Sequence, residues 1–237
     1  MSRTGVADLH VHTKYSDGWP SPEQVVDQVR WAGQLTTIAI TDHDQIEGAC
    51  RAQVYAATLA DAPLVIVGEE VSSRDGHILG LFLTKLVAAG MPAVQTVAAI
   101  HAQGGLAIAA HPFWRTERPG GTGKVHGVGW AASKIPFDAI EVENATPGLY
   151  LCNQMAHRMQ EELGLPMVGN SDAHILDAIG RAYTRYPGHG EAALRAAITA
   201  GTTSAHRERY QPRGLAMYAA WGLHRQAVKR ARAAAAR

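Results

Sequence analysis

Cysteine is nearly absent from this sequence: Cys50 and Cys152 are the two it has, each inside a stretch patterned as a helix. So few thiols exclude a disulfide-stapled scaffold and fit a reducing compartment. No apolar run reaches the roughly 20 residues that a membrane-spanning helix needs. Chemistry-bearing residues begin at Asp8, which leaves no room ahead of them for a cleavable leader. The expectation is a soluble, cytoplasmic protein without a membrane partner. An excess of one charge is also missing, because the formal net charge is only +1. Nothing global therefore recruits long nucleic acid or an anionic surface, and any phosphate-binding charge must be local. Acidic residues stop at Glu208, beyond which "GLAMYAAWGLHRQAVKRARAAAAR" reads as one basic helix whose terminal cations suit its dipole. What remains is 237 residues with 46% hydrophobic content. That can bury a substantial core, and the length suits one α/β barrel or two smaller domains, one being simpler.

Short apolar runs alternate with helical patterns along the chain, as expected for βα units around a parallel sheet. "VADLHVH" reads as the first strand. "SPEQVVDQVRWAG" reads as a helix with Ser21 as N-cap, Pro22 at its first position and Gly33 closing it. "TTIAIT", "PLVIVGEEV", "HILGLFL", "LAIAAH", "FDAIEVEN" and "PMVGNSDAH" follow as strands, interleaved with helices such as "IEGACRAQVYAATLA" and "LYLCNQMAHRMQEELG". A strand, helix and strand close the series through "RAYTRY", "GEAALRAAITAG" and "TTSAH". Residues 114–130, rich in glycine and basic residues and without a period, read as a long mobile loop of the kind that often serves as a lid.

The strand ends carry the chemistry. In "DLHVH", side chains two apart on an extended strand share a side, so His10 and His12 present both imidazoles to one point. Asp17 follows five residues later. His43 ends the second strand in "TDHD", Glu69 and Glu70 the third in "GEEV", and His77 opens the next. His111 in "AHP", and Asp172 and His174 in "NSDAH", end two more. In a parallel barrel the carboxyl ends of the strands share one face, where catalytic groups collect. Imidazoles and carboxylates without thiolate suit zinc, manganese or iron and are too nitrogen-rich for a dedicated magnesium or calcium site. So many ligands imply two to three divalent ions with at least one shared carboxylate.

In this order, "DLHVHTKYSDG", "TDHD", "GEEVS", "GHILGL", "AHP" and "NSDAH" resemble the polymerase and histidinol phosphatase (PHP) family of metal-dependent phosphoesterases, over roughly residues 6–207. The resemblance implies a distorted seven-stranded (β/α) barrel, TIM-like, over residues 1–210, with residues 211–237 as a basic helix packed on it or exposed. It also implies a trinuclear site. His10, His12, Glu70 and Asp172 would hold a first metal, Glu70 would bridge to a second held by His77 and His111, and Asp17, His43 and His174 would hold a third. Asp17, His43, Asp172 and His174 are expected to be catalytic as well as metal-ligating. Glu70 fits the family motif with Gly68, Val71 and Ser72, and Glu69 is the alternative. Asp8 and Asp44 are expected to orient imidazoles rather than ligate.

The function implied is hydrolysis of a phosphoester in a small phosphorylated metabolite or nucleotide by a metal-activated hydroxide. The alternative is a phosphodiesterase on short RNA or DNA oligonucleotides, since a broad basic groove for long nucleic acid is lacking. A metal-free accessory domain is disfavoured by the intact ligand set, and an amidohydrolase by the "SDAH" ending and the early Asp17. Phosphoryl transfer also asks for cations near the metals, and Arg115, Arg118, Lys124 and Arg181 are the candidates, Arg115 and Arg181 foremost. Asn144 either faces the site or caps the next helix. His101, His126, His157, His189, His206 and His224 fit no strand-end position and read as structural or exposed. Trp19 either lines a pocket or packs.

Overall fold

The computed structural model describes residues 4–117 and 123–235. Nine strands form one sheet: β1 (Thr4–Val11), β2 (Thr37–Ile40), β3 (Leu64–Ser73), β4 (Gly76–Leu81), β5 (Leu106–Ala109), β6 (Ala139–Asn144), β7 (Met167–Asn170), β8 (Ala182–Pro187) and β9 (Ser204–Arg207). Their order is β7-β6-β5-β4-β3-β2-β1-β8-β9. Around them run α1 (Pro22–Ala32), α2 (Glu47–Ala56), α3 (Ala93–His101), α4 (Tyr150–Leu163), α5 (Gly190–Thr199) and α6 (Pro212–Ala235). No described helix is long and apolar enough to cross a membrane. Local signals start and stop α1 as its sequence dictates. Ser21 accepts from the Gln24 N–H, the Gln24 side chain answers to the Ser21 N–H, and Gly33 takes the left-handed conformation at φ 64°.

The sheet curls into a nearly closed barrel. Beyond Asn170, the chain of β7 meets the end of β1: the His12 N–H donates to the Ala173 carbonyl (2.8 Å) and the Ala173 N–H to that of His10 (3.2 Å). Lower down, β8 lies beside β1, and Thr184 exchanges hydrogen bonds with the Gly169 backbone on β7. The strands are not uniformly parallel, which departs from a simple βα series. β4 runs antiparallel to β3 and β5, and β8 antiparallel to β1 and β9. The reason at β4 is the connection, since two residues between Ser73 and Gly76 make a hairpin and cannot supply a crossover. This reversal puts the start of β4, with His77, beside the carboxyl end of β3.

Inward-facing Ala7, Leu9, Ala39, Ile66, Leu79, Ile108 and Val168 pack with Leu194 and Ile198 of α5 into one apolar cluster at the amino end of the barrel. The outward faces of the strands pack under the helices in a second and larger cluster. Tyr186 is buried against the inner cluster, with its hydroxyl 2.9 Å from Thr37 Oγ1. Removing one of these two groups strands the other in an apolar place, so Tyr186→Phe is expected to cost about 1–3 kcal/mol. Thr37→Val combined with Tyr186→Phe should recover part of that loss. Chemical denaturation of the two single variants and the double variant checks this, and strictly additive losses would contradict the pairing.

Alternation along β3 sends Glu70 inward and Glu69 outward, where Glu69 accepts from the Val87 N–H (2.9 Å) and its other oxygen is buried without a hydrogen-bond partner. Burial pushes the Glu69 carboxyl up to about 7 against the weaker opposing effect of Val87. The folded protein therefore keeps a proton that the unfolded chain releases, and stability falls as pH rises from the ordinary glutamate range to about 7, then levels off. Glu69→Gln removes that slope. Its stability relative to the wild type should improve by roughly 1–3 kcal/mol between pH 4.5 and 7.5, measured by urea unfolding across pH. A difference that does not change with pH would contradict a protonated Glu69.

Candidate metal centre

The side chains at the carboxyl end are aimed by breaks in regular geometry. Between Asp8 and Val11, β1 carries one residue more than β2, a bulge that flips its alternation. Ala7 and Leu9 face the inner cluster below the bulge, while Val11 joins the outer one above it. His10 and His12 are thereby turned inward. His43 extends β2 and bridges to Glu70. His111 and Asp172 hold positive φ angles of 24° and 53°, uncommon for residues with a side chain and a form of strain that collects at functional sites. The turn bearing Asp17 folds tightly onto the end of β1. The Gly18 N–H donates to the Thr13 carbonyl (3.0 Å), and a Cβ at Gly18 would lie 2.5 Å from the His12 carbonyl oxygen, so only glycine fits there.

The result is one compact cluster. Three overlapping groups have donor atoms within 4.8 Å of one another: His10, His12, Glu70 and Asp172; His12, Asp17, His43 and His174; and His43, Glu70 and His77. His111 joins through its Nε2, 2.9 Å from Glu70 Oε1. Glu70 is the hub, its Oε2 lying 3.2 Å from His10 Nε2, 3.2 Å from His12 Nε2 and 3.3 Å from His43 Nδ1. The Nε2 atoms of His10, His12 and His174, together with Asp17 Oδ1, are buried without hydrogen-bond partners. Orphaned donor atoms converging on a few ångströms are what a cation site looks like before the cation is counted. The charges are mutually dependent. Burial opposes ionisation of Glu70, yet His43, His77 and His10 hold its carboxyl well below the usual range. Burial likewise opposes a charged His12, but Asp172 and Glu70 raise it to about 10. His43, pulled down mainly by burial, drops to about 3.

A second layer fixes these groups, and much of it was not foreseen from the sequence. Glu141 on β6 accepts from His10 Nδ1 (3.0 Å), from the His111 N–H (2.7 Å) and from the Asn144 and Asn170 amides. The carboxylate can only accept, so His10 carries its proton on Nδ1 and turns its Nε2 lone pair inward. His174 does the same by donating from Nδ1 to the Asp172 carbonyl (2.9 Å). Asn144 faces the site, donating to Asp172 Oδ2 (3.2 Å), to which Thr146 Oγ1 also donates (3.1 Å). Asp8 and Asp44 do not orient imidazoles. Asp8 accepts from the backbone N–H groups of Ser171, Gly180 and His10, and Asp44 from that of Ser72, so both secure loops. The signal for Glu141 is a carboxylate between the apolar residues Ile140 and Val142 of β6, buried on the face of the strand that looks into the barrel.

The cations divide. Arg115 lines the cleft over the cluster. Arg181 does not reach it: the guanidinium donates to the carbonyls of Asp177 and Arg209 and faces Glu208, so this residue ties chain segments together instead of reaching the site. Lys124 is exposed and away from the cleft, and Arg118 lies outside the described residues. His126, which fits no strand-end position and is expected to be structural or exposed, lines the cleft, stacked on Trp114 at 4.9 Å. Its carbonyl accepts from the His77 N–H, and Gly127 and Gly129 donate to the carbonyls of Trp114 and Pro112. The described ends of residues 114–130 are thus pinned to the barrel. Trp19 meets His224 edge-on at 5.9 Å beside the cleft, and His101, His157 and His206 pair elsewhere.

Helix α6 reaches the cleft, which its basic sequence does not announce. Its Tyr218, Trp221, Arg225 and Lys229 line one wall of the cleft, which holds about 290 Å³. Trp221 Nε1 donates to the Asp17 carbonyl (2.8 Å), and its ring lies 4.2 Å from that of His174. Arg225 pairs with the Asp17 carboxylate.

Residues 8–145 match the model of the PHP domain, and residues 151–203 that of a PHP-associated segment. An uncharacterized protein of Methanocaldococcus jannaschii is 34% identical over 118 residues, covering 45% of this chain and 67% of the relative. Among solved structures, a two-domain protein of Bacteroides vulgatus containing a predicted PHP-like metal-dependent phosphoesterase superposes with a TM-score of 0.71 at 22% identity, over 87% of this chain and 66% of that one. Endonuclease Q, solved with a 27-mer duplex bearing an abasic lesion, superposes with a TM-score of 0.56 at 14% identity, over 84% of this chain and 57% of that one. The chain thus spans about two thirds or less of these structures, whose likeness is one of fold. With the PHP model matching more than half of its length and the motif residues drawn into one cluster, this chain belongs to the PHP domain family.

Proposed function

We propose that this protein is a metal-dependent phosphoesterase acting on a small phosphorylated metabolite or nucleotide. The observation that carries the reading is the set of buried, unpartnered donor atoms on His10, His12, His174 and Asp17 around the Glu70 hub. Its nitrogen-rich, thiolate-free chemistry fits two to three divalent ions such as manganese, zinc or iron. His10, His12, Glu70 and Asp172 would hold one, His77 and His111 with Glu70 a second, and Asp17, His43 and His174 a third. When bound, such ions neutralise phosphoryl oxygens and activate water. The chain's own residues do the rest. Glu141 and the Asp172 carbonyl keep the imidazole lone pairs inward, Asn144 and Thr146 hold Asp172 in place, and Arg115 faces the phosphoryl group with a planar fork suited to two of its oxygens.

The competing reading, a phosphodiesterase on short oligonucleotides, draws support from the fold shared with endonuclease Q. A cleft of about 290 Å³ walled on one side by α6 favours the small substrate. Two assays on metal-replete protein separate the two: phosphate release from sugar phosphates and nucleotides, and shortening of short oligonucleotides followed by electrophoresis.

Asp172→Ala and His12→Ala are expected to leave the chain folded by circular dichroism. Each should lower bound metal by at least one ion per chain and abolish hydrolysis. Glu141→Gln should weaken metal binding by roughly 10–100-fold, as loss of a group orienting a ligand does. Elemental analysis alongside kinetics checks all three, and a folded His12→Ala variant with full metal content and activity would refute the assignment.

A further inference from the structure

Helix α6 begins at Pro212, beyond both segments that match the family models. Its contacts are nevertheless concentrated on the candidate site. Tyr218, Trp221, Arg225 and Lys229 recur at the three- and four-residue spacing of one helical face, and all four border the cleft. Each holds a different position there. The Tyr218 hydroxyl meets Thr146 Oγ1 at 3.2 Å, Trp221 and Arg225 grip the carbonyl and carboxylate of Asp17, and Arg225 lies 5.3 Å over the Trp221 ring. Arg225 is therefore committed to Asp17.

Lys229 is not committed, and neither is Arg115 on the opposite side. Among the described residues neither has a carboxylate partner, although both border the same small cleft. Arg115 is held at the rim by a backbone at φ 61°, in a turn closed by the Trp114 N–H on the His111 carbonyl (2.9 Å). The two cations are near enough to feel one another: the ammonium of Lys229 is eased below its ordinary range by Arg225 first, then by burial and, less, by Arg115, against the opposing pull of the Asp17 carboxylate. The one carboxylate near them, Asp17, is already held by Arg225, so the cations at this mouth outnumber the anions that face them.

Resting on the phosphoesterase reading above, we infer that Arg115 and Lys229 form a two-sided clasp for the phosphoryl group of the substrate, and that α6 thereby selects phosphate monoesters over diesters. A monoester offers three unesterified oxygens and close to two charges, enough to face the metal-binding cluster and both cations together. A diester offers two such oxygens and one charge, and its second substituent would have to pass the wall formed by Trp221 and Lys229.

The test uses the full-length, metal-replete protein with inorganic phosphate as the probe, titrated by calorimetry. Lys229→Gln and Arg115→Gln should each weaken phosphate binding by about tenfold, the scale of one charge-assisted contact, without changing metal content. Lys229→Arg should stay within about threefold of the wild type, because it keeps the charge. Lys229 is exposed on α6, so its variants retain the fold and the clasp remains testable if Arg115→Gln does not. Phosphate binding by Lys229→Gln within twofold of the wild type would overturn the clasp. With p-nitrophenyl phosphate and bis(p-nitrophenyl) phosphate as substrates, Lys229→Gln should lose more kcat/KM on the monoester, and equal losses on both would overturn the selectivity. Wild-type protein that binds phosphate through the clasp yet hydrolyses neither ester would support the clasp and overturn the phosphoesterase reading, so the two claims fail separately.

Discussion

Six imidazoles and three carboxylates converge in one small space at the end of this barrel, and most of them are buried. Removing charges from water costs several kcal/mol each unless they are paired and hydrogen-bonded. The imidazoles and carboxylates offset one another only in part, because several ring nitrogens point at the same centre without a hydrogen-bond partner. Much of the local irregularity serves that convergence. The bulge in β1 turns His10 and His12 inward, the positive φ angles at His111 and Asp172 re-aim strand ends, and the tight turn at Gly18 brings Asp17 over His12. A chain folding for stability alone would gain by replacing this cluster with apolar residues.

The rigidity of the cluster comes from the layer behind it. Glu141 binds the His10 imidazole, a backbone amide and two asparagine amides at once, so His10, His111, Asn144 and Asn170 are fixed by one carboxylate. Asp8 does comparable work below, holding the chain after β7 to β1 through Ser171 and Gly180. Hydrogen bonds of this kind set the direction in which each donor atom points, and direction decides metal affinity as much as identity does. Helix α6 adds a third support from outside, through the carbonyl and carboxylate of Asp17.

What the sequence reveals here is what depends on local order. Helix α1 is legible because Ser21, Pro22, Gln24 and Gly33 satisfy their own ends. Most of the clustered residues are legible because they lie in a strand or within a few residues of its end, and one end of a barrel gathers strand ends whatever their order; Asp17, in the turn beyond β1, is brought in by the fold at Gly18. The direction of β4 was less plain, since the hairpin after Ser73 reverses it, although His77 reaches the same rim by that reversal. The misreadings are non-local. Arg181 carries the same charge as Arg115, and only the packing of residues 177 and 208–209 reveals that its guanidinium is already occupied. The contact of Trp221 with Asp17 spans 204 positions, and nothing near either residue announces it. The stripe Tyr218, Trp221, Arg225, Lys229 was visible as a helical face, but a basic terminal helix carries cations for solvent and dipole reasons too, and periodicity does not say what the face covers.

The central claim is that the Glu70 hub and its surrounding imidazoles are a multinuclear metal centre. Diffraction from crystals of the protein grown with manganese or zinc, recorded at the absorption edge of that metal, tests it most directly. The account predicts two or three anomalous peaks, one between Glu70 and Asp172, one beside His77 and His111, and one beside Asp17 and His174. A single peak, or peaks only at surface carboxylates with the cluster empty, would contradict it.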